Sequence, residues 1–167
     1  MSARESGNAD QAASFRTEDD ADLAAIFGTV REATAAVVAD GIATLKEGTA
    51  GGGRFLHLVP VRRGACDVKV YPPFPTLCLG PEQHCTELFG PEDVRMRDLQ
   101  RLIKAVIDGR YSWEHRQVQR KVLFIPLYRF TRLIGTFDTP DGPWVFYRQG
   151  GQPREAVAHK TYEPYRE

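Results

Sequence analysis

The middle of the chain carries side chains of the types that bind zinc. Thiol and imidazole groups occur at Cys66, Cys78, His84 and Cys85, and zinc prefers such ligands in a closed tetrahedral site. Zinc sites usually supply thiolates in C-x-x-C pairs, which this chain lacks. His84 and Cys85 would also point to opposite faces of a strand. We therefore expect no metal and no other cofactor, and three reduced, mostly buried thiols.

Candidate catalytic residues are few. Ser112 is the only serine within the expected folded region, and no G-x-S-x-G nucleophile elbow surrounds it. Glu114 and His115 suit acid–base chemistry, but neighbours on a strand do not converge on one substrate. His57 lies in an apolar segment, where a hydrogen-bonded structural histidine is expected. These patterns favour a non-enzymatic protein, and leave open a small enzyme or ligand binder whose site is built from distant residues.

The glycine-rich stretch 48–53 is a candidate anion-binding loop, because exposed backbone N–H groups in such loops bind phosphates. A P-loop requires G-x-x-x-x-G-K-[ST] between a strand and a helix. Here Arg54 and Phe55 follow the last glycine and begin an apparent strand. We therefore expect a flexible connection without phosphate chemistry.

Charge is distributed unevenly along a chain whose formal net charge is zero. Residues 1–50 hold four basic and nine acidic side chains, a net charge of −5. Residues 110–150 hold seven basic and three acidic side chains, a net charge of +4. The two regions either neutralise each other across the fold, or the basic one meets an acidic partner.

The basic region also contains many aromatic residues, so it is the best candidate for a binding surface. We predict that it binds a protein partner, and the alternative is a nucleic acid whose phosphates and bases meet the arginines and rings. Strand alternation would divide these side chains between a core face and a solvated face. The predicted partner-binding residues are Arg116, Arg120, Arg129, Arg132 and Arg148, and the rings are Tyr128, Phe130, Trp144, Phe146 and Tyr147.

These residues must be positioned by elements whose signals begin at Asp19. A helix is predicted there, because Asp19, Asp20 and Asp22 place negative charge in a first turn. It ends at Gly41, or at Gly48 if the apolar stripe continues. The stripe comprises Leu23, Ile26, Phe27, Val30, Val37 and Val38.

Four short strands are predicted in the middle of the chain. Segments 55–61 and 65–71 flank a turn, and the prolines of 72–75 interrupt any ladder after them. Segments 76–79 and 84–89 then form a further hairpin.

A second helix has the clearest local signals. Pro91 occupies a first helical position, Glu92 and Asp93 complement the helix dipole, and Gly109 suits the C-terminal cap. Its apolar face is Leu99, Leu102, Ile103, Val106 and Ile107. Strands are expected after it at 118–127, 128–137 and 143–148, with Pro126 marking an edge strand or a bulge.

Together these elements predict a single α+β domain from Asp19 to Gln149, with an antiparallel sheet of about six or seven strands packed by one or two helices. Residues 1–18 are expected to be a disordered leader. Residues 150–167 are expected to be a flexible tail that carries Tyr162 and Tyr165 as small anchors.

The polar, acidic N-terminus lacks the pattern of a signal peptide, and no apolar run approaches the roughly 18 residues of a membrane span. With reduced thiols, this predicts a cytoplasmic protein that does not contact a membrane. The abundance of arginine and alanine over lysine is typical of high-GC bacterial genomes. The oligomeric state stays open.

The segment 84–90, His-Cys-Thr-Glu-Leu-Phe-Gly, and the helix through Gly109-Arg110-Tyr111 resemble small bacterial α+β proteins of the immunity type. Members of that group have a short E-L-[WF] strand, a helix that ends in a G-[RKH]-[YV] step, and a closing antiparallel meander. The resemblance covers about a third of the chain. It implies a non-enzymatic binder that neutralises a cognate toxin, and it assigns no binding residue, because specificity in that group lies in variable surface positions.

Overall fold

The computed structural model describes residues 7–51, 53–72, 75–81, 83–122, 125–150 and 159–166, with the backbone alone for 7–20, 117–131 and 149–150. The predicted α+β class is confirmed. The expected single sheet is wrong, because the described strands form two antiparallel sheets, in the orders β1-β2-β3-β4-β5 and β8-β7-β6-β9. The elements are α1 (Gly7–Ala39), β1 (Ala43–Ala50), β2 (Gly53–Pro60), β3 (Val68–Tyr71), β4 (Thr76–Leu79), β5 (His84–Glu87), α2 (Glu92–Ile107), β6 (Tyr111–Val122), β7 (Ile125–Thr139), β8 (Gly142–Gly150) and β9 (His159–Thr161).

Helix α1 begins at Gly7, well before the predicted start at Asp19, so most of the expected disordered leader is helical. The segment before Asp19 is rich in alanine, the strongest helix former, which extends the helix beyond its buried stripe. The helix ends as predicted at Gly41, whose φ is +67°. The Ile42 N–H donates to the Val37 carbonyl at 2.9 Å, the long bond of a Schellman cap. The buried stripe is Ile26, Phe27, Val30, Thr34 and Val37.

The glycine-rich stretch is part of a hairpin and not a flexible connection. Strands β1 and β2 pair up to Ala50 and Gly53, and Gly51 adopts a positive φ in the turn. Gly48, the alternative helix end, lies in β1 opposite Phe55. The Phe55 ring covers Gly48 so closely that a Cβ atom there would overlap the ring. Glycine at this position therefore allows the ring to lie flat on the neighbouring strand.

The five-stranded sheet is a meander in which every strand pairs with the next one along the chain. Its apolar residues alternate, so one face is buried and packs with helix α1 and the rest of the core. The buried side chains of its central strands are Leu56, Leu58, Val68, Val70, Leu77 and Leu79.

The second predicted helix is confirmed as α2, which begins directly after Pro91. It ends at Gly109, whose φ is +71°, and the Arg110 N–H donates to the Ala105 carbonyl at 2.8 Å in a Schellman cap. Its buried face contacts α1 and β7. In the described part of the chain, neither helix combines the length and the apolar character that a membrane crossing needs.

The four-stranded sheet corrects the predicted boundaries 118–127 and 128–137. Strand β6 already starts at Tyr111, and β7 runs continuously from Ile125. Strand β6 ends at Val122 and β7 begins at Ile125, and the sequence around these strand ends has no glycine, asparagine or aspartate to mark a turn. The irregularity predicted near Pro126 is present, since the ladder shifts register between Arg120 and Lys121.

Residues 159–166, expected within a flexible tail, form an ordered segment that we call the C-terminal strap. Its strand β9 pairs with β6 of the four-stranded sheet. The strap then reaches the loop before β3, where the Glu163 N–H donates to the Gly64 carbonyl at 3.1 Å. Tyr162 and Tyr165 are buried in the core, as expected for anchors. The strap therefore belongs to the folded domain and joins its two sheets.

Candidate protein-binding surface

One face of the four-stranded sheet points away from the core. Along β7 and β8, the buried side chains Leu133, Phe137 and Phe146 alternate with the exposed Arg132 and Tyr147. Strand alternation therefore places a second set of residues on the outward side of the sheet. This outward side, which we call the open sheet face, comprises Ser112, Glu114, Arg116, Arg132, Ile134, Thr136, Asp138, Pro143, Val145 and Tyr147.

Two of the predicted partner-binding arginines lie next to each other on this face. Arg116 on β6 and Arg132 on β7 are direct cross-strand neighbours. The Arg132 guanidinium lies over the Tyr147 ring, with 5.5 Å between its carbon and the ring centroid. Arg116 donates to Glu114 at 2.5 Å in an exposed ion pair, a kind of pair that contributes little to stability. Arg116 and Arg132 are therefore exposed neighbours on the open sheet face.

The other three predicted arginines do not join this pair. Arg148 lies opposite Leu133, so its side chain starts from the inward side of the sheet, at the edge strand β8. The backbone of Arg120 and Arg129 is in β6 and β7, and their side chains lie outside the described residues. The predicted binding set is therefore divided by the sheet.

The aromatic rings are divided in the same way. Trp144 and Phe146 pack inward against Phe137, at centroid distances of 5.7 and 6.1 Å. Tyr147 is on the open sheet face with 63 % of its surface exposed. The side chains of Tyr128 and Phe130 lie outside the described residues. In the described part of the face, Tyr147 is thus the one ring able to stack on a ligand.

Comparison with protein-family models, with curated proteins and with solved structures gives no match. The geometry of the surface must therefore carry the functional argument. That geometry combines an exposed ring, two arginines, the carboxylates of Glu114 and Asp138, and the apolar Ile134 and Val145. Such a mixture of apolar, aromatic and arginine side chains is typical of protein interfaces.

The cysteines differ from the expectation of three reduced thiols. Cys78 on β4 and Cys85 on β5 form a disulfide, and Cys66 is a fully buried thiol outside that disulfide. The two bonded cysteines are direct partners in the β4–β5 ladder. This pairing could have been found in the sequence, because counting outward from the four-residue turn of the predicted hairpin places Cys78 opposite Cys85. The bond removes both as zinc ligands, and the described residues contain no cluster suited to a metal.

The histidines occupy structural positions. The His57 Nε2 atom lies 2.8 Å from Asp67 Oδ2 in a partly buried pair, which fits the expected hydrogen-bonded histidine. His84 and His115 both contact Trp113, with centroid distances of 4.7 and 5.0 Å. Since His115 packs inward and Glu114 faces outward, the two neighbours do not converge, as the strand argument predicted.

Two concave regions were missed in the sequence, because each joins residues that are far apart along the chain. A groove of about 830 Å³ lies between α1 and α2 and is closed by Pro164 and Arg166 of the strap. A cleft of about 460 Å³ lies between β5 and β8, and Arg148 lines it. Arg148, which does not lie on the open sheet face, therefore lines a separate concave region.

Proposed function

We propose that this protein is a non-enzymatic protein-binding domain, and that its partner is a toxin that it neutralises. The observation that supports the binding role is the cross-strand pair Arg116 and Arg132 beside the exposed Tyr147 on the open sheet face. Arginine and tyrosine are enriched among the residues that dominate interface energies. Neutralisation of a toxin follows from the resemblance to immunity-type proteins alone.

The physical basis of the binding would be a rigid, shallow surface. The open sheet face is carried by paired strands, so little conformational entropy is lost when a partner covers it. Arg132 is already oriented by its contact with Tyr147. An acidic patch on the partner would be attracted by the two arginines, which raises the association rate and selects among partners.

Nucleic-acid binding, the alternative, stays a prediction. It would use the same arginines, but Trp144 and Phe146 pack inward and are not available for base stacking. Glu114 also shares the face with the arginines and would oppose a phosphate backbone. The geometry therefore favours a protein partner over a nucleic acid.

Small-ligand binding has one observation in its favour, the groove between α1 and α2. Its volume of about 830 Å³ is in the range of ligand sites. Its charged lining includes Arg101, whose guanidinium is engaged by Asp98 at 3.4 Å, Asp141 at 3.3 Å and Thr139 at 2.8 Å. A cation held by three partners is a poor ligand anchor, so we place this function third, after nucleic-acid binding.

The cytoplasmic location stays a prediction, and the Cys78–Cys85 disulfide is the observation against it. Cytosolic thiols are kept reduced, whereas disulfides persist in oxidising compartments. The redox state of Cys78 and Cys85 in the native protein would therefore show in which compartment it meets its partner.

The experiment is to isolate a tagged copy from its native host, with and without nuclease, and to identify the proteins or nucleic acids that co-purify with it in stoichiometric amounts. A nuclease-resistant protein whose toxicity is suppressed by co-expression would support the proposal. Recovery of nucleic acid alone, with affinity that falls steeply with salt, would support the alternative. A stoichiometric protein that is harmless when expressed alone would retain the binding role and remove neutralisation.

A further inference from the structure

Two sheet edges face one another across the 460 Å³ cleft. Strand β5 is the last strand of the five-stranded sheet, and β8 is the last strand of the four-stranded sheet, among the described strands. The cleft is lined by β4 and β5 on one side and by residues 144–148 of β8 on the other. It is thus a gap between two edges and not a hollow in one surface.

An edge strand offers backbone groups that its own sheet does not pair. In an antiparallel ladder, alternate residues hydrogen-bond to the neighbouring strand, so half of the N–H and C=O groups of an edge strand point outward. Strand β8 has nine residues, against four in β5. The edge of β8 is therefore long enough to pair with an added strand of ordinary length.

The cleft is also apolar at its entrance. Phe89, directly after β5, has 75 % of its surface exposed, and Tyr147 on β8 has 63 %. Both line the cleft, together with the partly buried Trp144. Exposed aromatic rings around a concave site mark a place where an apolar side chain of a ligand is buried.

Arg148 is the basic residue that lines the cleft. Within the described residues, no carboxylate lies within ion-pair distance of Arg148, although Glu87 lines the other side of the same cleft. The guanidinium group of an arginine binds a carboxylate by donating two parallel N–H hydrogen bonds to it. The charge complementary to the β8 side of the cleft is therefore an acidic side chain.

We propose that the cleft binds an extended, acidic segment of a partner polypeptide, which adds as a further strand to the edge that β8 presents among the described strands. The segment would bury an apolar side chain between Phe89 and Tyr147 and pair a carboxylate with Arg148. Backbone hydrogen bonds provide affinity in this mode of recognition, and the side-chain contacts provide specificity. The inference rests on the proposed protein-binding function and deepens it, since Tyr147 belongs to both the cleft and the open sheet face.

The test uses a displayed library of random peptides long enough to span β8, selected against the full chain. We expect enrichment of peptides that carry an Asp or Glu and an apolar residue on opposite strand faces, because Arg148 and Tyr147 are adjacent on β8 and lie on opposite sides of the sheet. A selected peptide should bind in a one-to-one ratio and slow hydrogen exchange of β8 amides. No enrichment over an unrelated protein of similar charge, or slowed exchange confined to other elements, would overturn the proposal.

Variants then locate the contact. Arg148→Glu should weaken peptide binding by at least about tenfold, and a peptide with its acidic residue changed to lysine should recover part of the loss. Phe89→Ala should also weaken binding, and because Phe89 is exposed, the fold should be retained. The control is Arg97→Glu, an exposed arginine on α2 with the same charge change. Equal losses for Arg97→Glu and Arg148→Glu would contradict a specific ion pair.

The same variants separate this inference from the proposed function. If a native partner binds the Arg148→Glu, Phe89→Ala double variant as tightly as the unchanged protein, the cleft proposal is wrong and the protein-binding role stands. If selected peptides bind the cleft but no protein accompanies the chain in its host, the cleft is supported and the proposed role is wrong.

Discussion

The hydroxyl of Tyr165 donates a hydrogen bond to the backbone carbonyl of Cys66, with 2.5 Å between the oxygens. Both residues are almost completely buried, at 2 % and 0 % exposure. The Tyr165 N–H also donates to the Ile107 carbonyl at the end of α2, at 2.8 Å. Tyr165 therefore fixes the strap to the loop between β2 and β3 and to the end of α2 together.

Tyr165→Phe should destabilise the protein by about 1 to 3 kcal/mol, because the ring is kept while the buried Cys66 carbonyl loses its donor. The change in the free energy of unfolding is measured by urea denaturation. Tyr147→Phe, at an exposed tyrosine, is the matched control and should change the free energy by less than about 0.5 kcal/mol. Equal stabilities of Tyr165→Phe and the unchanged protein would show that the strap is not held by this bond.

Tyr165 also predicts a dependence of stability on alkaline pH. Burial, followed by the nearby Cys66 and Asp67, raises the pKa of the Tyr165 hydroxyl above its ordinary value of 10.0. Above that pH the unfolded chain releases the proton while the folded chain keeps it, so the unfolded state binds fewer protons and stability falls as pH rises. The free energy of unfolding should therefore decline from about pH 10 upward. This decline should be smaller in Tyr165→Phe, and parallel curves for the two proteins would contradict the assignment.

Two glycines should respond in opposite directions to the same substitution. Gly135 lies opposite Phe146 in the β7–β8 ladder, and a Cβ atom there would overlap the Phe146 ring. Gly135→Ala should therefore cost about 1 to 3 kcal/mol through overpacking. Gly28 is an exposed residue within α1 with nothing within 4 Å of its added Cβ atom. Gly28→Ala should stabilise the protein by about 0.5 to 1 kcal/mol, because glycine is a poor helix former.

Thermal and urea unfolding of both variants would check this pair. A destabilised Gly28→Ala would contradict the open surroundings of α1 at that residue. A neutral Gly135→Ala would mean that the Phe146 ring can leave its place over β7 at little energetic cost.

The Cys78–Cys85 bond predicts a specific thiol count. Alkylation of the unfolded protein without reductant should modify Cys66 alone, and all three cysteines should react after reduction. The double variant Cys78→Ser, Cys85→Ser should be less stable by about 2 to 3 kcal/mol, because a short closed loop is lost from the unfolded chain. Three reactive thiols in protein taken directly from its host, with alkylation before lysis, would instead support the cytoplasmic location.

Local signals explain what the sequence predicted well. Helix α2 is marked at both ends by Pro91 and Gly109, so its bounds depend on residues directly beside it in the sequence. The hairpin of β4 and β5 is also marked in the sequence by its turn. The position of that turn fixes the register in which Cys78 pairs with Cys85. Cysteine spacing alone does not reveal the disulfide, whereas the strand pairing of the predicted hairpin places Cys78 opposite Cys85.

Long-range packing explains what was missed. Tyr162 and Tyr165 lie in a polar segment with little periodicity, and they are buried because the loop before β3 and the end of α2 accept them. The position of Arg148 was decided by register, since the hairpin turn after Thr139 pairs Leu133 with Arg148. Composition predicted one basic aromatic surface, whereas strand alternation places Arg132 and Arg148 on opposite sides.

The open sheet face gives the last prediction. Arg116→Glu with Arg132→Glu should weaken binding of the native partner by at least about tenfold, because a complementary acidic surface would meet like charge. Both side chains are exposed, so the urea midpoint should stay close to that of the unchanged protein. Binding is measured by co-purification and by titration of the isolated partner, with Arg97→Glu on α2 as the control. If the double variant retains full affinity while Arg148→Glu loses it, the cleft at β8, and not the open sheet face, is the binding surface.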